Sequence, residues 1–294
     1  MTPDAPPVIL DFDDSVLPLA PNELRFDLQS WQESIRFGCT LREFARLRDF
    51  LSPMLPHEPG VTFLGSGDYH HVTVLLLDGQ AVRNRAPVDL VVCDNHPDNM
   101  RYPFGIHCGS WIYHASLMEH VRHIHVVGIS SSDIAGKHAW ENRLTPLFQK
   151  KLTYWSVKQS ARWLDVLGLS ECRRNFSSPD ALLSAFLPYL QRSRQVYLSL
   201  DKDVFHPEEA RTNWDQGAFR REHVRSIIEL CAKRLAGMDV CGEASAFRHA
   251  GWFKRFLSRL DGQETPDPSS LEAMRSAHQS LNQRILAWLE AGRR

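Results

Sequence analysis

Residues 89–100 read DLVVCDNHPDNM, an apolar run that closes on Asp94, His96 and Asp98 at alternate positions. An extended chain throws successive side chains to opposite faces, so these three project to one side of the backbone. Two carboxylates and an imidazole side by side repel one another or demand partners. A cation is the simplest component that would satisfy all three.

Reading outward, similar apolar runs recur along the chain. They are VIL at 8–10, VTFLGSG at 61–67, VDLVVCD at 88–94, IHVVGIS at 124–130, VYLSLD at 196–201 and GMDVCG at 237–242. Several are apolar at every position, which suits strands covered on both faces by helices. Between them, LREFARLRDFL sets Leu41, Phe44, Leu47 and Leu51 on one helical stripe, and REHVRSIIELCAKRLAG predicts a helix that stops at Gly237 after Lys233 and Arg234. The alternation predicts an α/β protein, a three-layer α/β/α sandwich around a mostly parallel central sheet. A turn-rich break, TPDPSS, precedes a last helical extension of about residues 265–294. There Ser269 and Glu272 have the spacing of a capping box, and Leu271, Met274, His278, Leu281 and Ile285 follow at three-four spacing.

Bulk composition narrows the partners. With 34 Lys and Arg against 35 Asp and Glu, the chain has no basic surplus to favour nucleic acid or an anionic membrane. No apolar stretch approaches the roughly 18 residues needed to span a bilayer. Six cysteines without CxxC spacing, behind an N-terminus lacking a secretory pattern, predict a reduced, cytoplasmic protein. The last helix could pack on its own core or on a second subunit, so a homo-oligomer stays open.

Ligands of open α/β sheets collect at the carboxyl ends of the strands. Four ends here are loaded: Asp68-Tyr69-His70-His71, then Asp94-Asn95-His96-Pro97-Asp98-Asn99, then Asp201-Lys202-Asp203, then Glu243. Carboxylates and imidazoles without thiolate suit a pair of borderline divalent ions such as manganese better than a structural zinc. The segments GSGDYHH, DNHPD, SLDKD and DVCGE, in that order, resemble the ureohydrolase (arginase and agmatinase) family of the arginase-deacetylase superfamily. The resemblance implies one arginase-like catalytic domain over residues 1–294. It also implies two divalent ions, most often Mn2+ with Ni2+, Fe2+ or Zn2+ as options, and hydrolysis of a C–N bond in a small cationic guanidino or amidino compound to urea and an amine. It makes Asp94, His96, Asp98, Asp201 and Asp203 metal ligands, joined by one of His70 and His71. It makes His107 and Asp98 catalytic, His107 as proton donor to the departing amine, and assigns Glu243 and Asn99 to the substrate.

Three other readings share parts of this pattern. The tandem His70-His71 is similar to the paired histidines of metal-dependent amide deacetylases. VILDFDDSV at 8–16 resembles the first motif of haloacid-dehalogenase-type phosphatases, but that chemistry leaves His96 and the His70-His71 pair without a role, and Asp11, Asp13 and Asp14 read as a strand-end turn. A ureohydrolase-like binding protein without turnover is the third alternative, opposed by the intact carboxylate set.

Overall fold

The computed structural model describes residues 5–57, 60–83, 86–251, 254–255 and 267–294. Among these, eleven strands form: β1 (Val8–Asp11), β2 (Leu24–Asp27), β3 (Gly38–Cys39), β4 (Thr62–Phe63), β5 (Val88–Cys93), β6 (Ile106–His107), β7 (Val121–Ile129), β8 (Leu152–Val157), β9 (Arg173–Phe176), β10 (Val196–Asp201) and β11 (Leu235–Cys241). Nine make one sheet in the order β2-β1-β4-β11-β10-β5-β7-β8-β9, and β3 pairs with β6 in a small antiparallel ribbon. Every pairing in the large sheet is parallel. All six residues of β5 and of β10 are buried, as central strands sandwiched between helical layers must be.

Two apolar clusters fill the layers on the two faces. One takes Phe44, Leu47 and Leu51 from helix Leu41–Leu51 and Leu75, Leu76 and Leu77 from helix Thr73–Arg83. The other takes Leu182, Phe186 and Leu190 from helix Pro179–Arg192, Val224, Ile227 and Ile228 from helix Arg221–Cys231, and Leu281, Ile285 and Leu289 from helix Pro268–Arg293. Helix Leu41–Leu51 begins where the Thr40 side chain accepts from the Glu43 N–H at 3.2 Å. Phe44, Leu47 and Leu51 are buried there, each worth about 1.5–3 kcal/mol, whereas Leu41 stays 55% exposed before the stripe reaches the core.

Several boundaries differ from the sequence reading. Gly237 lies inside β11 rather than ending a helix, and a Cβ there would press on the Tyr197 ring across the β10–β11 pair. Helix Arg221–Cys231 tightens instead into a 3-10 turn over Ala232–Arg234. The last helix is capped by Asp267, whose carboxylate accepts from the Ser269 N–H at 3.0 Å, in place of a Ser269–Glu272 box. Residues 265–266 of the expected extension lie outside the described residues. No described helix is long and apolar enough to cross a membrane.

A pH dependence follows from β7. His125 sits between Trp155 and Phe186, and Trp155 Nε1 donates to its Nδ1 at 3.2 Å. Burial, with a smaller contribution from His123, lowers its pKa to about 3. Below an unfolded value of about 6.5 the unfolded chain binds the extra proton, so this contribution to stability is complete above that pH and is lost as pH falls toward 3. Between pH 7 and 5 the wild type should lose up to about 2 kcal/mol through this residue. Urea midpoints at both pH values, compared with His125→Gln, check it; equal slopes would show that His125 titrates normally.

Candidate metal centre

The loaded strand ends meet at one rim of the sheet, where a cleft of about 590 Å³ is lined by His70, Asp94, His96, Asp98, Asp201 and Asp203 among others. His70 enters on a 3-10 turn, Gly67–Val72, that follows β4 and is capped by Ser66, whose Oγ accepts from the Asp68 N–H at 3.3 Å. Its Nδ1 lies 3.2 Å from Asp94 Oδ2, 3.0 Å from Asp98 Oδ2 and 3.5 Å from Asp201 Oδ2. One N–H cannot serve three carboxylates. On the far side of the ring Nε2 meets Ser199 Oγ at 2.9 Å, and Ser199 in turn donates to Asp239 at 2.7 Å. That relay holds a proton on Nε2 and makes Nδ1 the atom turned to the carboxylates. Against the opposing effect of burial, Cys241, Asp94 and Asp98 raise the ring's pKa well above the usual imidazole range, so a cation bound there would displace the Nδ1 proton.

A second set adjoins the first. His96 Nδ1 lies 2.8 Å from Asp203 Oδ2 and 3.6 Å from Asp94 Oδ1, while its Nε2 lies 2.7 Å from Asp215 Oδ1. His70-Asp94-Asp98 and Asp94-His96-Asp203 are thus two adjacent groups of metal-ligand geometry sharing Asp94, and a third, His70-Asp201-Cys241, adjoins them at His70, where the Cys241 thiol donates to Asp201 Oδ2 at 3.1 Å. The donor chemistry fits two divalent cations. Among the protein groups alone, burial and the charge of Asp94 push Asp98 up to about 7, and burial with Asp201 and Asp94 pushes Asp203 well above the carboxylate range. Such a cluster is costly as bare carboxylates and favourable around cations.

The backbone is shaped to the set. Asp98 has φ 47, a left-handed conformation uncommon for aspartate, and it is held by Trp111 Nε1 donating to Oδ2 at 2.6 Å. Gly67 floors the cleft, since a Cβ there would lie 3.0 Å from Asp201 Oδ2 and 3.4 Å from Trp214. Asp201 accepts from the Asp203 N–H at 3.0 Å, which fixes the turn carrying both.

Three of the expected site residues stand outside the cleft. His71 is turned into the core against Phe44, and neither ring nitrogen has a hydrogen-bond partner, so it stands off the metal cluster, and the paired-histidine geometry of deacetylases is not formed. Asn99 is fully buried with its amide donating to the Arg143 carbonyl at 2.8 Å and to Tyr154 Oη at 2.9 Å, so it does not line the cleft. Glu243 also points away: Gly242, at φ 89, turns the chain after β11, and the Glu243 carboxylate is taken by Lys202 Nζ and, at 2.7 Å, by Asn282. Burial opposes both charges of that pair; Glu243 stays below its ordinary range because Lys202 and His278 face it, and Lys202 is lowered by burial despite Glu243.

His107 does line the cleft, stacked on Phe37 at 5.7 Å and edge-on to Tyr102 at 4.2 Å. Its Nδ1 accepts from the Gly109 N–H at 2.8 Å, and burial lowers its pKa to about 3. It is therefore a neutral imidazole protonated on Nε2, able to donate a hydrogen bond but carrying no spare proton at neutral pH. The motif-like VILDFDDSV is absorbed by ion pairs: Arg25 lies 3.0 Å from Asp11, and fully buried Arg36 lies 3.3 Å from Asp13 and 2.6 Å from Asp68.

Sequence reasoning did not find Asp215 and Trp214. Both line the cleft, and Asp215 also accepts from Asn95 Nδ2 at 3.1 Å, so one carboxylate orients His96 and the DNHPD turn together. They sit in the loop 206–220, and only its folding back brings them to the candidate ligand groups.

The sequence model of the Arginase family matches residues 32–251, well over half of the chain. The chain belongs to the arginase family. A Thermotoga maritima relative described as an uncharacterized protein is 27% identical over 191 residues, which are 65% of this chain and 60% of the relative. Two solved structures share the fold of this arginase-family protein. Arginase from Bacillus cereus superposes with a TM-score of 0.53 at 16% identity, covering 86% of this chain and 79% of that one. Formimidoylglutamase from Bacillus subtilis gives 0.57 at 11% identity, covering 97% and 87%. The matched residues include all those of the candidate ligand groups in the cleft.

Proposed function

We propose that this protein is a binuclear-metal hydrolase, with Mn2+ the best-suited ion, that cleaves a C–N bond in a small guanidino or amidino compound and releases urea or the corresponding amide with an amine. The observation that carries the reading is the pair of ligand groups sharing Asp94 on the floor of one cleft. His70, Asp94, Asp98 and Asp201 would hold one ion, and Asp94, His96 and Asp203 the other. Bound there, such a pair supplies Lewis acidity and lowers the pKa of water toward neutrality.

The chain's own groups account for the remaining work. Trp111 occupies Asp98 Oδ2, leaving Oδ1 to take a proton in the cleft and return it to the departing amine. Neutral His107 contributes an Nε2–H donor that orients the substrate. Asp133, Glu141 and Asp215 line the cleft outside the two ligand groups and offer carboxylates to a cationic substrate, the task expected of Glu243. Trp140 and Trp214 wall the same space.

The test is a panel of guanidino, formimino and N-acyl compounds incubated with the Mn2+-loaded protein, scored for urea, formamide and acetate. Urea or formamide release supports the reading. Acetate release alone would replace it with amide deacetylation, and no turnover of any compound by protein carrying two ions would replace it with a binding role.

His107→Ala should raise KM about tenfold or more with a smaller change in kcat, since a donor that orients the substrate acts in ground state and transition state alike. A fall in kcat at unchanged KM would return proton delivery to His107.

A further inference from the structure

The family match ends at residue 251, yet helix Pro268–Arg293 reaches the metal-ligand turns with two side chains one helical turn apart. Asn282 Nδ2 donates to Glu243 Oε1 at 2.7 Å, and Glu243 pairs with Lys202, the residue between Asp201 and Asp203. His278 uses both ring nitrogens: Nδ1 faces Lys202 Nζ at 3.4 Å, and Nε2 donates to the Arg211 carbonyl at 2.7 Å. Arg211 belongs to the loop whose Asp215 grips His96 Nε2 at 2.7 Å. All four network side chains, Lys202, Glu243, His278 and Asn282, are buried.

We infer that the C-terminal helix positions the metal centre, His278 and Asn282 together fixing the 201–203 turn through Lys202 and Glu243 and the His96-orienting loop through Arg211. The inference rests on the metal-centre reading above. The physical reason for so unusual a device is the cost of its parts. A lysine at 0% exposure between two ligand aspartates is tolerable only with its own counter-ion, and that counter-ion needs further donors to saturate its oxygens. Two of those partners come from the helix, so the backbone of the ligand turn has its correct place only when the helix is docked. His278 and Asn282 touch neither substrate nor metal; they are positioning residues.

The test uses the full-length protein and reads metal, not turnover. Mn2+ affinity would be measured by titration calorimetry for the wild type, His278→Leu, Asn282→Leu and the conservative His278→Gln, each at a temperature well below its unfolding midpoint and with retained circular dichroism. Outer partners of metal ligands are typically worth 10- to 100-fold in affinity, so each leucine variant should weaken Mn2+ binding by about that factor, while His278→Gln, which keeps an N–H for the Arg211 carbonyl, should recover most of it. A merely structural helix would lower the midpoint of all three variants and leave the affinity of the folded protein unchanged, and that result overturns the inference alone. A wild type that takes up no divalent ion would instead overturn the metal-centre reading, and this inference with it.

Discussion

Lys202→Met should cost the metal-free protein about 3–5 kcal/mol, the penalty for leaving a buried carboxylate without its counter-ion. Glu243 is 2% exposed and cannot reach water when Lys202 is gone; Asn282 is neutral, and His278, 3.5 Å from Glu243 and disfavoured as a cation by its burial, replaces only part of the lost charge. The double variant Lys202→Met/Glu243→Leu should recover most of the loss, since replacing a whole buried ion pair with apolar groups is often neutral. Urea denaturation with chelator present measures both. A single variant as stable as the wild type would mean that the pair is solvated in solution. Glu243→Gln should resemble the single lysine variant in sign, destabilising the fold while leaving KM for a cationic substrate little changed, because Glu243 faces Lys202 and not the cleft.

That reassignment marks where the sequence stopped being legible. The sets Asp94-His96-Asp98 and Asp201-Asp203 could be read because they load the ends of two apolar runs, but the strand reason does not hold. β5 stops at Cys93, Asp98 is left-handed and Asp203 lies on a 3-10 turn, so the turns beyond the strands, not strand alternation, aim these side chains into one cleft. Glu243 lies beyond Gly242, and a left-handed glycine redirects the chain, so order along the sequence no longer says which way the side chain points. The clue present was Lys202 itself: a lysine flanked by two inward-facing aspartates on an apolar strand has to find a carboxylate. The choice between His70 and His71 needed the direction of a 3-10 turn, which apolar spacing does not encode. Asp215 was out of reach, because a loop residue carries no periodicity. Strand β8, LTYWSV, breaks its apolar run with Thr153 and Ser156, and β2 is an edge strand whose half-exposed LRFD has no apolar run.

Asp201→Ala and Asp98→Ala should each lower kcat/KM by at least about 10³-fold, the several kcal/mol that metal-assisted charge stabilisation supplies, together with loss of bound metal. The same substitutions should act oppositely on the metal-free fold. Asp98, Asp94 and Asp201 all approach one imidazole nitrogen within 3.5 Å, so without cations a protonated His70 offsets only part of their charge, and the carboxylates repel across a buried space where desolvation opposes each of them. Removing one charge relieves that repulsion, and the alanine variants should unfold at equal or higher urea than the wild type in chelator. In saturating Mn2+ the order should reverse, because only the intact set gains the stabilisation that ligand binding to the native state brings. The crossing of the two orders separates a metal centre from an ordinary ion-pair network: in a network of histidine and aspartate that stabilises itself, removing one carboxylate would weaken the fold under both conditions, and added Mn2+ would change nothing.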